Sequence, residues 1–172
     1  MSISFHDAVH GTTKELTIDG PQGRREVTVK IPPGINDGAK IRLRGKGKPG
    51  VNGGPPGNLY VRIRAGKHPL FRRSGRDLKL KVPITFSEAA LGAEIKVPTL
   101  NGSVKVRVPA GTPAGKTLRI SGKGVEAGGS QGDLLVTVEI EIPSDLSPRA
   151  RELVEELGDI EHGDDPRAHL GV

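Results

Sequence analysis

Cysteine and tryptophan are absent from this chain of 172 residues, and phenylalanine and tyrosine together number only four. Without cysteine there is no disulfide and no thiolate metal site, as expected of a cytoplasmic protein. No apolar run approaches the ~18–20 residues of a helical membrane span. Met1-Ser2-Ile3 opens no signal peptide, so no membrane partner is expected. Catalytic groups are scarce too. His6, His10, His68, His162 and His169 have no carboxylate or third ligand at metal spacing. The serines lack a nucleophile-elbow context, and most acidic residues stand singly or in one C-terminal stretch. No enzymatic activity, cofactor or metal is expected.

What the chain has in quantity is glycine (25), proline (14) and charge. The first two favour turns and strands over long helices. Charge is distributed unevenly: residues 1–81 hold 17 Lys/Arg against 6 Asp/Glu, and residues 82–172 hold 9 against 14. A basic half suits a nucleic-acid backbone, because lysine and arginine neutralise phosphate whatever the base sequence. It also suits a solvated surface, since most of these charges alternate along strands. Base stacking needs aromatics, and Phe5, Phe71, Phe86 and Tyr60 are the whole supply. The remaining nucleic-acid reading is weak, non-specific DNA binding through "RLRGKGKPG".

"AGTPAGKT" (110–117) nearly matches a phosphate-binding loop, with Ala110 in place of the first glycine. An internal repeat argues against that reading. "ISFHDAVHG" (3–11) parallels "ITFSEAALG" (84–92), and "VTVKIPPGINDGAKIRLRGKG" (27–47) parallels "VKVRVPAGTPAGKTLRISGKG" (104–124). "GNLYVRI" (57–63) then parallels "GDLLVTV" (132–138), giving two copies of one supersecondary unit. The twin of the loop puts Ile41 where a hydroxyl is needed. Leu118-Arg119-Ile120 after the loop alternates as a strand, not as the helix an anion site requires. The stretch is expected to be a hairpin connection.

Period-two alternation marks strands at Val27–Ile31, Leu59–Ile63, Leu78–Ile84, Val104–Val108 and Val136–Ile142, each with one apolar and one polar face. Ser4–Val9 and Ser87–Leu91 break the pattern and read as short helical turns capped by Ser4 or Ser87. Phe5 and Phe86, at equivalent repeat positions, are expected in the core. The fold expected is all-β: two repeated small β-sandwich-like domains in tandem followed by a short C-terminal helix. The domains span 1–65 and 78–143, with a linker at 66–77, the helix in 144–158 and a flexible tail at 159–172. Ser147-Pro148 suits a helix start, Leu153, Val154 and Leu157 follow at helical spacing, and Gly158 suits its end. That apolar stripe packs either on the preceding domain or on a second copy. The strand leading the second copy has a counterpart that would begin before residue 1, so a piece of a longer protein is expected.

No site for chemistry remains, but small sheets with open edges take up extended peptides as added strands, largely irrespective of sequence. The motifs "IPPGINDGAKIRLRGKG", "GNLYVRI", "HPLFRRSGRDL", "PITFSEAALGAEIKVPTLNG" and "VPAGTPAGKTLRISGKGV…GDLLVTVEIEIP" closely resemble the C-terminal region of DnaJ-type co-chaperones. The resemblance runs from residue 3 to about 157. It implies binding of unfolded polypeptide clients, delivery to a seventy-kilodalton heat-shock chaperone, and a homodimer paired through the helix at Leu153, Val154 and Leu157. By position it places the client groove on Leu16, Ile18 and Val61, with Ile3 or Met1 at its edge, and the contact with the partner chaperone on Lys14. The groove residues have an equally available role as ordinary core. His68-Pro69 is followed by Leu70, so no J-domain motif lies in these residues, and stimulation of the partner's ATPase is not expected of them. In place of a zinc arm stands only "DGPQGRRE" (19–26), as in the zinc-free class.

Overall fold

The computed structural model describes residues 1–20, 23–161 and 165–171. His162 and the centre of the 19–26 turn therefore lie outside the described residues. The chain divides into a unit of Met1–Ile140 and a unit of Glu141–Val172.

The first unit is built of short strands. In the first copy of the repeat these are β1 (Ser2–Ile3), β2 (Thr12–Gly20), β3 (Gly23–Ile31), β4 (Lys40–Leu43), β5 (Leu59–Arg62) and β6 (Arg64–Ala65), with helix α1 (Phe5–His10) after β1. The second copy has β7 (Arg72–Ser74), β8 (Asp77–Ile84), helix α2 (Phe86–Leu91), β9 (Ala93–Thr99), β10 (Gly102–Val108) and β11 (Thr117–Ile120). It closes with β12 (Glu126–Ala127), β13 (Ser130–Gln131) and β14 (Leu134–Ile140). The architecture is all-β in the form anticipated: small sheets in tandem and one C-terminal helix.

The two copies use one plan. β2–β3 and β9–β10 are antiparallel pairs, with Leu16 opposite Val27 in one and Val97 opposite Val104 in the other. β4 pairs with β5 as β11 pairs with β14. A strand then runs parallel to the last of these: β8 along the whole of β14, but β1 only along β6. The core follows the alternation, with Val27, Val29 and Ile31 buried in the first copy and Val106, Val108, Leu134, Val136 and Val138 in the second. Val9 of α1 packs into the cluster around Phe71, Leu78 and Val97, joining the copies within one unit.

Each six-residue helix is too short to stand on intrinsic propensity, so capping and packing hold it. Ser4 accepts from Asp7 N–H at 2.9 Å, and the Asp7 carboxylate takes the Ser4 N–H. At α2 the cap is Thr85 rather than Ser87. Its hydroxyl accepts from Glu88 N–H at 3.1 Å, while Glu88 takes Thr85 N–H at 2.8 Å. The reciprocal box needs Glu three residues after the cap, which fits Thr85 and not Ser87.

Four further expectations are corrected. "AGTPAGKT" joins β10 to β11, strands of different sheets, so it is not a hairpin loop. Phe86 is 49% exposed rather than core, whereas Phe5 rests against His68 with ring centroids 5.1 Å apart. The last strand stops at Ile140, and Ile142 is exposed. In the second unit, α3 (Pro148–Ile160) starts at the expected Ser147 cap but runs through Gly158 to Ile160. A glycine costs a helix only about 1 kcal/mol, which does not suffice to stop one.

Candidate functional site

The phosphate-loop question is settled by where the amides point. Gly111 N–H donates to Ala90 O, Thr112 N–H to Ala89 O, Gly115 N–H to Val138 O and Lys116 N–H to Pro113 O, at 2.8–3.2 Å. Four of the loop's amides, including those of Gly115 and Lys116, are thus engaged by protein rather than turned to an anion. Among the described residues no group of three or more His, Asp or Glu side chains is placed to hold a metal ion. His6 and His10 stack on each other at 4.1 Å, and His10 reaches the His6 carbonyl.

The open feature of the first copy is a groove of about 370 Å³ between β2 and β5, lined by Leu16, Leu59, Tyr60, Val61, Arg62 and Arg64 together with Met1 and Ser2. Alternation along β2 directs Leu16 and Ile18 to its half-buried face and Glu15, Thr17 and Asp19 to solvent. Val61 and Ile3 are buried, each 5% exposed, and belong to the cluster that includes Val29, Ile31 and Ile63. Leu16 and Leu59 pack on the margin of that cluster. Ile18 lies beyond Leu16 in a neighbouring cavity of about 1000 Å³, with Leu59, Arg25, Lys46, Lys48 and Pro49. Leu59 lines both spaces.

Of the residues expected at a client site, Leu16 and Val61 therefore meet in one groove. Ile18 lines the next, and Ile3 lies beneath in the core. Leu59, Tyr60, Arg62 and Arg64 were not anticipated. The alternation in "GNLYVRI" gave their faces, but nothing in it said which of them border a groove.

Lys14 does not stand free. Its ammonium lies 3.1 Å from Asp7 Oδ2, and this contact, with the Ser4 hydrogen bonds, holds the Asp7 carboxyl below the ordinary carboxylate range. The basic surface is likewise partly structural. Arg25 donates to the carbonyl oxygens of Lys46 and Gly47 at 2.6 and 2.7 Å, bracing the loop that walls the larger cavity.

Residues 1–143 match the family model for the DnaJ C-terminal domain. The chain belongs to that family. Within the DnaJ family it is similar to chaperone protein DnaJ 1 of Streptomyces avermitilis, 52% identical over 148 residues, covering 85% of this chain and 37% of the relative. Chaperone protein DnaJ 2 of Corynebacterium glutamicum is 48% identical over 147 residues, 84% of this chain and 37% of the relative. The chain thus spans little more than a third of the length of these relatives. Both are named as chaperones, and the groove described above lies within the matched residues 1–143.

In the second unit, α3 has no buried residue: Leu153 and Val154 are 48% and 53% exposed, and Leu157 is half-buried. The helix therefore offers an apolar stripe on an element otherwise rich in Glu and Arg. No helix of the described residues is long and apolar enough to cross a membrane.

Proposed function

We propose that this DnaJ C-terminal chain is a client-binding module of a cytoplasmic co-chaperone, holding unfolded polypeptide in the groove between β2 and β5 for delivery to a seventy-kilodalton heat-shock chaperone. The observation that supports it is the groove itself, apolar at Leu16, Leu59 and Val61 and bordered by the main chain of β5. Apolar floor plus exposed main chain suits recognition of extended chain with little sequence demand. The modules proposed are residues 1–65 and 78–143. Self-association is proposed through Leu153, Val154 and Leu157. Lys14 is proposed at the contact with the partner chaperone, where it would exchange its Asp7 ion pair for an acidic segment of that partner.

The test is fluorescence anisotropy of a permanently unfolded, reduced and alkylated polypeptide, run beside labelled duplex DNA at low and physiological salt. Client binding should persist as salt rises, because apolar burial is screened less than phosphate contacts. Firm DNA binding without client binding would sink the reading and favour the basic residues as the functional feature.

A further inference from the structure

The seam between the two copies of the repeat carries a cavity of about 470 Å³ that shares no lining residue with the groove between β2 and β5. Its apolar wall is Phe5, Ala8 and Val9 of the first copy and Phe71 of the segment leading into the second. Ala8, Val9 and Phe71 belong to the cores behind it, and Phe5 is half-buried, so packing fixes this wall in place. The His68 ring packs against both aromatics, with centroids 5.1 Å from Phe5 and 4.9 Å from Phe71. Its Nδ1 accepts from the Leu70 and Phe71 amides at 3.1 and 3.2 Å, which leaves the ring N–H on Nε2.

The charged groups around the cavity differ in what they have left to give. Arg73 is committed to the carbonyl oxygens of Gly34, Ile35 and Gly75. Asp37 accepts the Ala65 N–H at 2.8 Å through Oδ1. Lys67 and Arg72, by contrast, are exposed and have no acidic partner among the described residues. Arg72 gives one N–H to His68 O at 3.2 Å. Directly across the β7–β8 pair it faces Lys79, a third cation without an acidic partner among these residues. Like charges directly opposite on neighbouring strands are destabilising, and an anion at this rim offsets that cost.

Apolar wall and cationic rim together select the ligand. A polynucleotide backbone brings evenly spaced charge with no apolar group for the Phe5–Val9–Phe71 wall, and it meets the Asp37 carboxylate. A peptide satisfies both features. We infer that the seam docks an acidic peptide segment of a partner protein, which inserts one large apolar side chain beside Phe5 and Phe71 and sets carboxylates against Lys67 and Arg72. This site is separate from the client groove and does not rest on it. Its walls come from both sides of the seam, so the docked segment bridges the two copies.

The experiment is anisotropy of three fluorescein-labelled peptides, Gly-Asp-Glu-Phe-Asp-Gly, Gly-Asp-Glu-Ser-Asp-Gly and Gly-Lys-Lys-Phe-Lys-Gly, titrated with the 172-residue chain. The first should bind about tenfold more tightly than the second, from burial of one ring, and the third should not bind. Lys67→Glu with Arg72→Glu, both at exposed positions, should weaken the first peptide about tenfold and leave binding of unfolded polypeptide unchanged. Leu16→Ser with Ile18→Ser should do the reverse. Absence of binding by the first peptide, equal affinity for the first two, or undiminished binding in the charge-reversed variant overturns the inference. Loss of the first peptide in the Leu16 and Ile18 variant overturns it in favour of the groove between β2 and β5. Displacement of that peptide by single-stranded DNA at matched charge overturns it in favour of a general anion surface.

Discussion

The Arg73 guanidinium donates to the carbonyl oxygens of Ile35 and Gly34 at 2.7 and 2.6 Å, tying β7 to the β3–β4 connection of the other copy. A third bond reaches Asn36 Oδ1 at 3.1 Å. Burial pulls the Arg73 pKa below its usual value, yet arginine stays charged and the carbonyls compensate its lost hydration. Arg73→Met should cost about 1.5–3 kcal/mol, the range for charge-assisted hydrogen bonds, read as a shift of the urea midpoint at unchanged slope. A midpoint equal to that of the parent chain would show the clamp to be incidental.

Gly34 sits beneath the same clamp with φ +72°, and a Cβ there would lie 2.4 Å from Ala127 Cβ and 2.6 Å from Glu126 O. Gly34→Ala should therefore destabilise by at least about 2 kcal/mol, combining left-handed strain with a clash against backbone. Gly38 has a similar φ of +79° but open space around it. Gly38→Ala should cost only the conformational part, about 1 kcal/mol. Thermal melts of the two variants separate the terms.

In the groove, Leu16→Ser with Ile18→Ser should weaken binding of unfolded polypeptide several-fold while the chain stays folded, because neither side chain is fully buried. Unaltered affinity in a folded double variant would remove these residues from the site. Val61→Ser tests something else, since Val61 is core, and it should lower stability by about 1–3 kcal/mol.

Along α3, Leu153→Asp with Val154→Asp should convert a dimer to a monomer in sedimentation velocity, with little change in the melting of the β region. A parent chain already monomeric at tens of micromolar would refute pairing through this stripe.

Two carboxylates set the acid limit. Asp7 is held low first by Lys14 and then by Ser4, and Asp133 first by the Gly122 N–H and then by Arg119. A depressed folded-state pKa contributes stability that is present above the unfolded value, near pH 4, and is lost as pH falls through the folded value. Stability should thus be flat from neutral pH to about 5 and fall below about 4. Asp133→Asn should flatten that acid limb. An acid limb of unchanged slope would mean that other groups govern it.

Much of this was legible beforehand, for physical reasons. Period-two alternation places Val27, Val29 and Ile31 on one face wherever the strand is put, and that face is buried. Helix starts announced themselves through Ser4 and Ser147, because a cap is a local bond between side chain and nearby amide. Where the cue was repeat equivalence, it failed at Phe86. Phe5 is covered by His68 and Phe71, which lie outside its own copy, and equivalence within the repeat says nothing about such neighbours.

The groove shows the same division most clearly. By itself the sequence determined the repeat and the faces of the strands, because faces and caps depend on residues close along the chain, while the short list Leu16, Ile18 and Val61 came from the family resemblance. Only the tertiary structure decided that Val61 is floor rather than rim, that Ile18 opens into a second cavity, and that Arg62 and Arg64 border the groove. Alternation fixes what lies above and below a sheet. What lies beside a strand, in the direction of its hydrogen bonds, is set by pairing between distant segments, and the period-two pattern does not encode it.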